Sequence, residues 1–138
     1  MGYQNRDWGF EKWQEVVTRL SGLYEFIQIT YGDRKKINGC ININGLNFRT
    51  SAAILSRCDL FLGPEGGMHH AAAATNKEAV VIFGGHISPK ITGYNFHSNL
   101  FSKDPKSPCG SKILCDHCYK CLKNITTNNV IGEIKKII

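Results

Sequence analysis

A glycine-rich segment in the middle of the sequence has the residues of an anion-binding turn. Gly66 and Gly67 follow an apolar run over residues 59–63 that is typical of a buried parallel strand, and residues 68–74 are rich in helix formers. The first amides of a helix have no intrahelical partner and lie at the positive end of the helix dipole. The pattern predicts a phosphate site, but it is equally typical of α/β turns in which glycine only allows the chain to turn.

Two side chains beside these glycines add to the chemistry. Glu65 would repel a phosphate, so it is predicted either to accept hydrogen bonds from sugar hydroxyls or to favour the start of the helix by its charge. His69 lies in the first helical turn and is predicted to donate to a phosphate oxygen. His70 is about 100° further round the helix, so the two imidazoles are not expected to face one ligand, and His70 is predicted to be a packing or surface residue.

A second group of chemically capable residues is a run of four cysteines near the end of the chain. The spacing Cys109-x5-Cys115-x2-Cys118-x2-Cys121 suits four thiolates around one tetrahedral zinc ion, with His117 as a spare ligand. The last three cysteines also match the start of an iron–sulfur run, which lacks its fourth cysteine downstream. The alternatives are therefore a structural zinc site, an iron–sulfur cluster, and thiols without a metal; no redox cofactor is expected.

The elements that must position these residues alternate between helix and strand. Apolar spacing predicts a helix over 6–23, strands over 24–31 and 40–43, a helix over 50–57 capped by Thr50 or Ser51, strands over 59–63 and 77–83 around the helix over 68–74, and a last helix capped by Thr126 or Thr127. This order predicts an α/β fold with a parallel sheet. Residues 86–122 show no clear periodicity. Asp33 follows the first strand and is a candidate ligand for a ribose hydroxyl, or an ordinary turn aspartate.

Composition bounds the class of protein. The chain has 138 residues with 42% hydrophobic content, which suits one domain over residues 1–138 with a cysteine-bearing loop at about 105–123. No run is long enough to span a bilayer and residues 1–20 do not resemble a signal peptide, so a cytoplasmic protein is expected. The net charge of +6 suits an anionic partner. No aromatic motif of a nucleic-acid binder is interleaved with the basic residues, so nucleic acid is not expected as a partner.

Taken together, these motifs resemble a known family, glycosyltransferase family 9, the heptosyltransferase-like group of the GT-B fold. Residues 6–13 (RDWGFEKW) are similar to its Lys-x-Trp-Pro-x-x-x-Trp opening, and residues 63–74 (GPEGGMHHAAAA) to its Asp-Ser/Thr-Gly-x-x-His-x-Ala-Ala segment. Residues 80–84 (VVIFG) resemble its Val-x-Leu-Phe-Gly strand, and residues 125–130 (ITTNNV) resemble its last helix. The resemblance implies a Rossmann-like parallel sheet with flanking helices, as in the C-terminal, nucleotide-sugar-binding half of these enzymes.

The resemblance also implies roles for individual residues. Gly66, Gly67 and His69 would hold the diphosphate of an ADP- or GDP-linked sugar. Arg6 would stand where the family has a phosphate-binding lysine, with a planar fork in place of an ammonium group. The family's ribose-binding glutamate has no clear counterpart, and Asp33 is the nearest loop acid.

Two family features have no counterpart in the sequence: the strand expected before Arg6 and the N-terminal acceptor half with its catalytic carboxylate. The family therefore implies the donor-binding part of an enzyme of cell-surface polysaccharide or lipopolysaccharide synthesis, with peripheral contact to the inner membrane. Such a chain would be inactive alone: either it is a fragment of the enzyme, or an acceptor-binding half on a separate chain completes it. The competing hypothesis is a non-catalytic metal-binding or interaction module derived from the same fold.

Overall fold

The computed structural model describes residues 6–111, 113 and 115–138, in which helices alternate with parallel strands. The elements are α1 (Phe10–Leu20), β1 (Phe26–Thr30), β2 (Cys40–Asn44), α2 (Phe48–Leu55), β3 (Leu60–Pro64), α3 (Gly67–Ala74), β4 (Glu78–Ile82), α4 (Pro89–Thr92), β5 (Ser98–Leu100), α5 (Asp116–Asn124) and α6 (Thr127–Ile137). The predicted α/β fold with parallel strands and flanking helices is confirmed. Within the described ranges, no helix has the length and apolar character needed to cross a membrane.

The strands form two parallel sheets. β1 pairs with β2, from Phe26 opposite Cys40 to Thr30 opposite Asn44. β3, β4 and β5 form the second sheet in that order, with Leu60 opposite Glu78 at one end and Pro64 opposite Ile82 at the other. Because the strands of each sheet are parallel, their carboxyl ends lie at one edge, where ligands bind in open α/β sheets.

Strand β4 is covered on both faces, as its uninterrupted apolar run requires. Val80 and Ile82 pack in a core cluster with α1 and α6, and Val81 packs in a second cluster with α2, α3 and Phe83. All of these side chains are fully buried. The first cluster contains Val16, Leu20, Val130, Ile131 and Ile134, and the second contains Leu55, Ala71, Ala72 and Ala79.

Helix boundaries correct some of the predictions. Asn47, and not Thr50 or Ser51, caps α2 by accepting a hydrogen bond from the Thr50 amide at 2.9 Å. Thr126 caps α6 as one of the two predicted residues, in a reciprocal capping box with Asn129. Residues 86–122, where the sequence shows no clear periodicity, contain α4, β5 and most of α5.

Candidate functional site

The amino-terminal end of α3 lies at the carboxyl end of β3, as the glycine-rich sequence predicts. β3 ends at Pro64 and α3 begins at Gly67, with Gly66 as the N-cap. Gly66 has φ +155°, a conformation that side-chain-bearing residues rarely adopt, and no side chain in the described part of the chain caps the helix. The first-turn amides therefore face the edge of the sheet without a capping oxygen, which is the arrangement of an anion site.

Arg6 is held at this helix end by Glu65. The Arg6 Nε atom lies 3.2 Å from Glu65 Oε2, and the Glu65 side chain is only 7% exposed. Arg6 Nη1 lies 3.6 Å from the point that a Cβ atom on Gly66 would occupy. The guanidinium thus adds positive charge to the helix end, while the carboxylate faces the guanidinium. The predicted contact of Glu65 with sugar hydroxyls stays a prediction.

His69 is enclosed by other rings. Its imidazole is completely buried, with ring centroids 5.8 Å from Phe83, 5.2 Å from Tyr94 and 5.4 Å from His97. Neither ring nitrogen has a hydrogen-bond partner among the residues described. Burial, followed by the charges of His70 and His97, lowers the pKa of His69 to about 4, so the ring is neutral at pH 7. The predicted contact between His69 and a diphosphate stays a prediction, and it would require the surrounding rings to move, because the imidazole is completely buried.

His70 lies beside His69 and is more accessible, as predicted for a surface residue. Its Nδ1 atom is 2.9 Å from the Tyr94 hydroxyl. Ligand atoms of Glu65, His69 and His70 all lie within 4.8 Å of one another, but the His69 ring is completely buried, and the expectation that the two imidazoles do not face one ligand stays a prediction. Side-chain rotation brings the neighbouring rings together, with centroids 4.7 Å apart, despite their different directions on the helix.

Asp33, a predicted ligand, and Phe48, an exposed ring, both lie on the part of the chain before β3. Asp33 lies in the exposed loop after β1, so it belongs to the two-stranded sheet and not to the sheet that carries α3. Its predicted role at a ribose stays a prediction.

Phe48 begins α2, is 57% exposed, and its Cε2 atom lies 3.3 Å from the point that a Cβ on Gly67 would occupy. The sequence analysis missed this ring, because an aromatic residue at a helix start gives no signal of its own.

The cysteine segment forms a compact group of potential metal ligands. Cys118 Sγ lies 3.3 Å from Cys109 Sγ and 3.3 Å from Cys115 Sγ. Ligand atoms of these three cysteines and of His117 lie within 4.8 Å of one another, which makes a candidate Cys3His metal site. Cys121 is outside that group, although its sulfur is 3.7 Å from His117 Nε2. The structure thus gathers three of the four predicted cysteines and adds the histidine that was considered a spare ligand.

The residues of this group lie in different local environments. Burial raises the pKa of the Cys118 thiol, whereas hydrogen bonds from the Cys118 amide and thiol lower the pKa of Cys115. Cys115 also serves as the N-cap of α5. His117 Nε2 lies 3.0 Å from Asp104 Oδ1, a carboxylate positioned to orient the imidazole. Three thiols and an imidazole in one place form the donor set that soft and borderline transition metals prefer.

Backbone contacts attach the cysteine segment to the turn after β4. The Cys109 amide donates to the Gly85 carbonyl at 2.7 Å, and the Gly110 amide donates to the His86 carbonyl at 3.0 Å. A Cβ atom on Gly85 would lie 3.1 Å from Cys121 Sγ and 3.4 Å from the Cys118 Cα atom. Because glycine has no Cβ, α5 can pack directly on this turn.

The other end of α5 is braced by α1 and the residues before it. Lys12 Nζ donates to the carbonyl oxygens of Leu122 at 3.0 Å and Ile125 at 3.2 Å, and lies 3.5 Å from that of Lys123. Trp8 Nε1 donates to the Ile125 carbonyl at 2.8 Å. An ammonium group at the last carbonyls of a helix also complements the helix dipole. Both ends of α5 are therefore attached to the α/β core.

Comparisons with known proteins agree with this architecture. The model of one protein family, described as glycosyltransferase family 9 (heptosyltransferase), matches residues 28–119. No curated protein sequence matches the chain.

Two similar solved structures are both of one bacterial protein. The iron-containing dodecameric glycosyltransferase TibC from enterotoxigenic E. coli H10407 is 22% identical, with a TM-score of 0.81 over 99% of this chain and 42% of its own. Dodecameric iron-containing heptosyltransferase TibC in complex with ADP-D-beta-D-heptose is 22% identical, with a TM-score of 0.79 over 99% of this chain and 43% of its own. At this identity the likeness shows a shared GT-B-like fold, and the chain spans less than half the length of these proteins.

Proposed function

The chain belongs to glycosyltransferase family 9, the heptosyltransferases, and we propose that it binds the nucleotide-diphospho-sugar donor of such an enzyme. The bound molecule would be an ADP- or GDP-linked sugar, with its diphosphate at the amino-terminal end of α3. The ADP-heptose complex of TibC supports an ADP-linked donor.

The observation that carries this proposal is the pairing of an uncapped helix start with a guanidinium. Gly66 provides a close approach to the backbone, and Arg6 Nη1 lies beside it. Helix amides and a guanidinium are both hydrogen-bond donors to anionic oxygens, and together they suit a diphosphate better than either does alone.

Glu65 has a positioning role in this proposal. An isolated carboxylate beside the helix start would repel a diphosphate, but Glu65 is almost fully buried and lies 3.2 Å from Arg6 Nε. The ion pair would hold the planar fork over Gly66 before the ligand arrives. Pre-orientation lowers the entropy that is lost when the ligand binds.

Phe48 is the candidate contact for the nucleobase. Its ring is exposed, lies against Gly67, and begins the helix that packs on α3. A base stacked on an aromatic ring gains roughly 1–3 kcal/mol, and such stacking tolerates different bases. This position would therefore add affinity for either an ADP- or a GDP-linked donor.

In the transfer reaction, this chain would act on the leaving group. A base from an acceptor-binding half would take the proton from an acceptor hydroxyl, whose oxygen then bonds to the anomeric carbon as the bond to the nucleotide diphosphate breaks. The α3 amides and Arg6 would stabilise the charge on the departing diphosphate. The chain is expected to be inactive without that half, in a cytoplasmic enzyme of polysaccharide or lipopolysaccharide synthesis at the inner membrane.

Calorimetric titration with ADP-D-β-D-heptose and with GDP-mannose tests the donor proposal. We expect saturable binding of one of them, weakened about tenfold by Arg6→Gln, which corresponds to about 1.4 kcal/mol. Arg57→Gln is the matched control, because Arg57 is exposed and lies before β3, at the opposite end of that strand. No binding by the folded chain, or equal loss in the two variants, would reject the proposal.

The cysteine group supports a second, compatible proposal: a structural metal ion held by Cys109, Cys115, Cys118 and His117. The donor set fits zinc, and the iron content of TibC makes iron the alternative. A metal here would cross-link the segment before α5 to the helix itself. Elemental analysis of the purified protein for both metals tests this, and finding neither at a stoichiometric level would reject it.

The competing function is a metal-binding or interaction module without transferase activity. The well-formed Cys3His group favours it independently of the α3 site. It predicts bound metal together with no affinity for either nucleotide sugar, so the same two measurements distinguish it from the donor-binding function.

A further inference from the structure

An accessible histidine lies in the first turn of α3, beside the proposed diphosphate site. The His70 amide donates to the Gly66 carbonyl at 3.2 Å, which closes that turn. The preceding residue, His69, is completely buried, whereas His70 is exposed. His70 therefore carries the imidazole that a ligand at this helix end can reach without any movement of the surrounding rings.

The His70 ring is adjacent to the ion pair that holds Arg6. A ring nitrogen of His70 and a carboxylate oxygen of Glu65 lie within 4.8 Å of one another. Glu65 Oε2 is in turn 3.2 Å from Arg6 Nε. The imidazole and the guanidinium are thus held next to the same buried carboxylate, at the end of the helix where the first-turn amides are available to an anion.

Tyr94 orients the His70 ring. Its hydroxyl lies 2.9 Å from His70 Nδ1, which is a hydrogen-bond distance. A phenol is protonated at neutral pH and can donate to Nδ1, and a neutral imidazole that accepts at Nδ1 carries its own proton on Nε2. His70 Nε2 has no hydrogen-bond partner among the residues that the structure describes. The ring therefore presents an unused N–H donor.

The position of Tyr94 is itself fixed by the segment before β5. Its carbonyl accepts hydrogen bonds from the His97 amide at 3.1 Å and from Asn99 Nδ2 at 3.0 Å. Its ring centroid lies 5.2 Å from the ring centroids of both His69 and His97. Because both the backbone and the ring of Tyr94 are held, its hydroxyl can keep the His70 ring in one orientation, which lowers the entropy lost when a ligand binds.

We propose that His70, oriented by Tyr94, donates a hydrogen bond from Nε2 to an oxygen of the donor diphosphate. The inference rests on the proposed donor binding, and it adds an imidazole to the α3 amides and Arg6 as a third kind of diphosphate contact. It assigns that contact to the accessible ring in place of His69, to which the family resemblance gives this role. Tyr94 is a positioning residue, because it acts on the diphosphate only through His70.

The chemistry of the helix end favours a phosphate oxygen as the acceptor. Phosphate oxygens are anionic, and an N–H group bonds to them more strongly than to a neutral hydroxyl. The Glu65 carboxylate, which is the nearby alternative acceptor, is engaged by Arg6. A sugar hydroxyl is the competing acceptor, so comparing each nucleotide sugar with its free nucleoside diphosphate separates the two.

Calorimetric titration of four variants tests the inference. Each is titrated with ADP-D-β-D-heptose, GDP-mannose, ADP and GDP, after its far-UV circular dichroism has been compared with that of the original chain. His70→Phe keeps a ring but removes the N–H group, and His70→Ala replaces it if the phenyl ring disturbs folding. His70→Gln keeps an amide donor near the position of Nε2, and Tyr94→Phe removes only the hydroxyl. Asn95→Ala is the matched control, because Asn95 is exposed and follows Tyr94 on the same segment.

We expect His70→Phe to weaken the binding of the nucleotide sugar about tenfold, and that of its free nucleoside diphosphate by the same factor. His70→Gln should recover most of the affinity, Tyr94→Phe should weaken it about threefold, and Asn95→Ala should change it by less than about twofold. At pH 8, nitrogen NMR signals of the His70 ring should show the proton on Nε2 in the original chain and a mixture of both tautomers in Tyr94→Phe. A purely structural role of Tyr94 would not produce this spectral change.

Four results would overturn the inference. Unchanged binding by His70→Phe, where Arg6→Gln weakens binding, would overturn it and leave the donor-binding function standing. A loss confined to the nucleotide sugars would assign His70 to the sugar instead of the diphosphate. An unchanged tautomer in Tyr94→Phe would remove the positioning role. Absence of binding by the folded original chain would reject the donor-binding function, and this inference together with it.

Discussion

The amino-terminal end of α3 and the cysteine group are built in different ways. The first is held by regular structure, since β3 pairs along its whole length with β4 and Ala71 and Ala72 of α3 are buried in the core. The second is held by α5 and an irregular segment, with three thiols crowded beside an imidazole. We therefore expect the helix-end site to be formed without its ligand, and the cysteine group to depend on the proposed metal ion.

Of the changes predicted here, replacing the central sulfur of the cysteine group should lower the unfolding free energy most. Cys118→Ser removes the sulfur that lies 3.3 Å from two other thiols, so we expect a loss on the order of 4 kcal/mol in unfolding free energy and loss of bound metal. Hydrogen exchange should accelerate in residues 101–124 but not in α3. Thermal denaturation with elemental analysis checks this, and Cys58→Ser, outside the group, is the control.

Acid should destabilise the helix-end region through His69. Because its pKa is about 4 in the folded chain and about 6.5 when unfolded, the unfolded state binds more protons below pH 6.5. The contribution to the free energy of unfolding is full above pH 6.5 and falls by about 3 kcal/mol as the pH drops to 4. His69→Phe should remove this fall, and His70→Gln should keep most of it, because burial is the largest cause of the lowered His69 pKa and the charge of His70 a smaller one. Urea denaturation between pH 7 and 4 distinguishes them, and parallel curves for wild type and His69→Phe would contradict the assignment.

Removing the contact between Lys12 of α1 and the end of α5 should affect the cysteine group more than the amino-terminal end of α3. Lys12→Met keeps the apolar stem but removes the ammonium group that donates to the carbonyl oxygens at the end of α5, so a loss of about 2 kcal/mol in unfolding free energy is expected. Lys35→Met is the matched control, since Lys35 is exposed and should change stability by less than about 0.5 kcal/mol. Faster exchange in α3 than in α5 would argue against a brace specific to α5.

The smallest expected change in unfolding free energy comes from the N-cap of α6, a helix that packs in the core. Thr126→Ala removes the side-chain acceptor for the Asn129 amide and should cost about 1 kcal/mol by chemical denaturation. Thr127→Ala loses only an exposed bond to Glu15 and should cost less. A larger loss for Thr127→Ala would mean that the capping box contributes little here.

The regular part of the fold could be predicted because its residues repeat a simple pattern. The apolar run of β4 is fully buried as expected, and the stripe of Val130, Ile131 and Ile134 faces the core. The glycines before α3 lie where strand changes to helix. In each case the signal is local, since burial on both faces or on one helical stripe is visible within a few residues.

The composition of the two sites could not be predicted in the same way. Tyr94 and His97 come from a segment without periodicity, so the sequence gives no sign that they enclose His69. The Arg6–Glu65 pair joins residues far apart in the chain. The choice of His117 over Cys121 depends on how α5 lies against Asp104 and Gly85, which spacing alone does not determine.

The close packing at Gly85 restricts which sequences can adopt this arrangement. A Cβ atom at that position would lie 3.1 Å from the Cys121 sulfur and 3.4 Å from the Cys118 Cα atom, so the Cys121 side chain or α5 would have to shift by a few tenths of an ångström. Among natural variants, we therefore expect glycine at position 85 to be inherited together with the cysteines. Homologues that have lost the cysteines should tolerate alanine or larger residues at this turn.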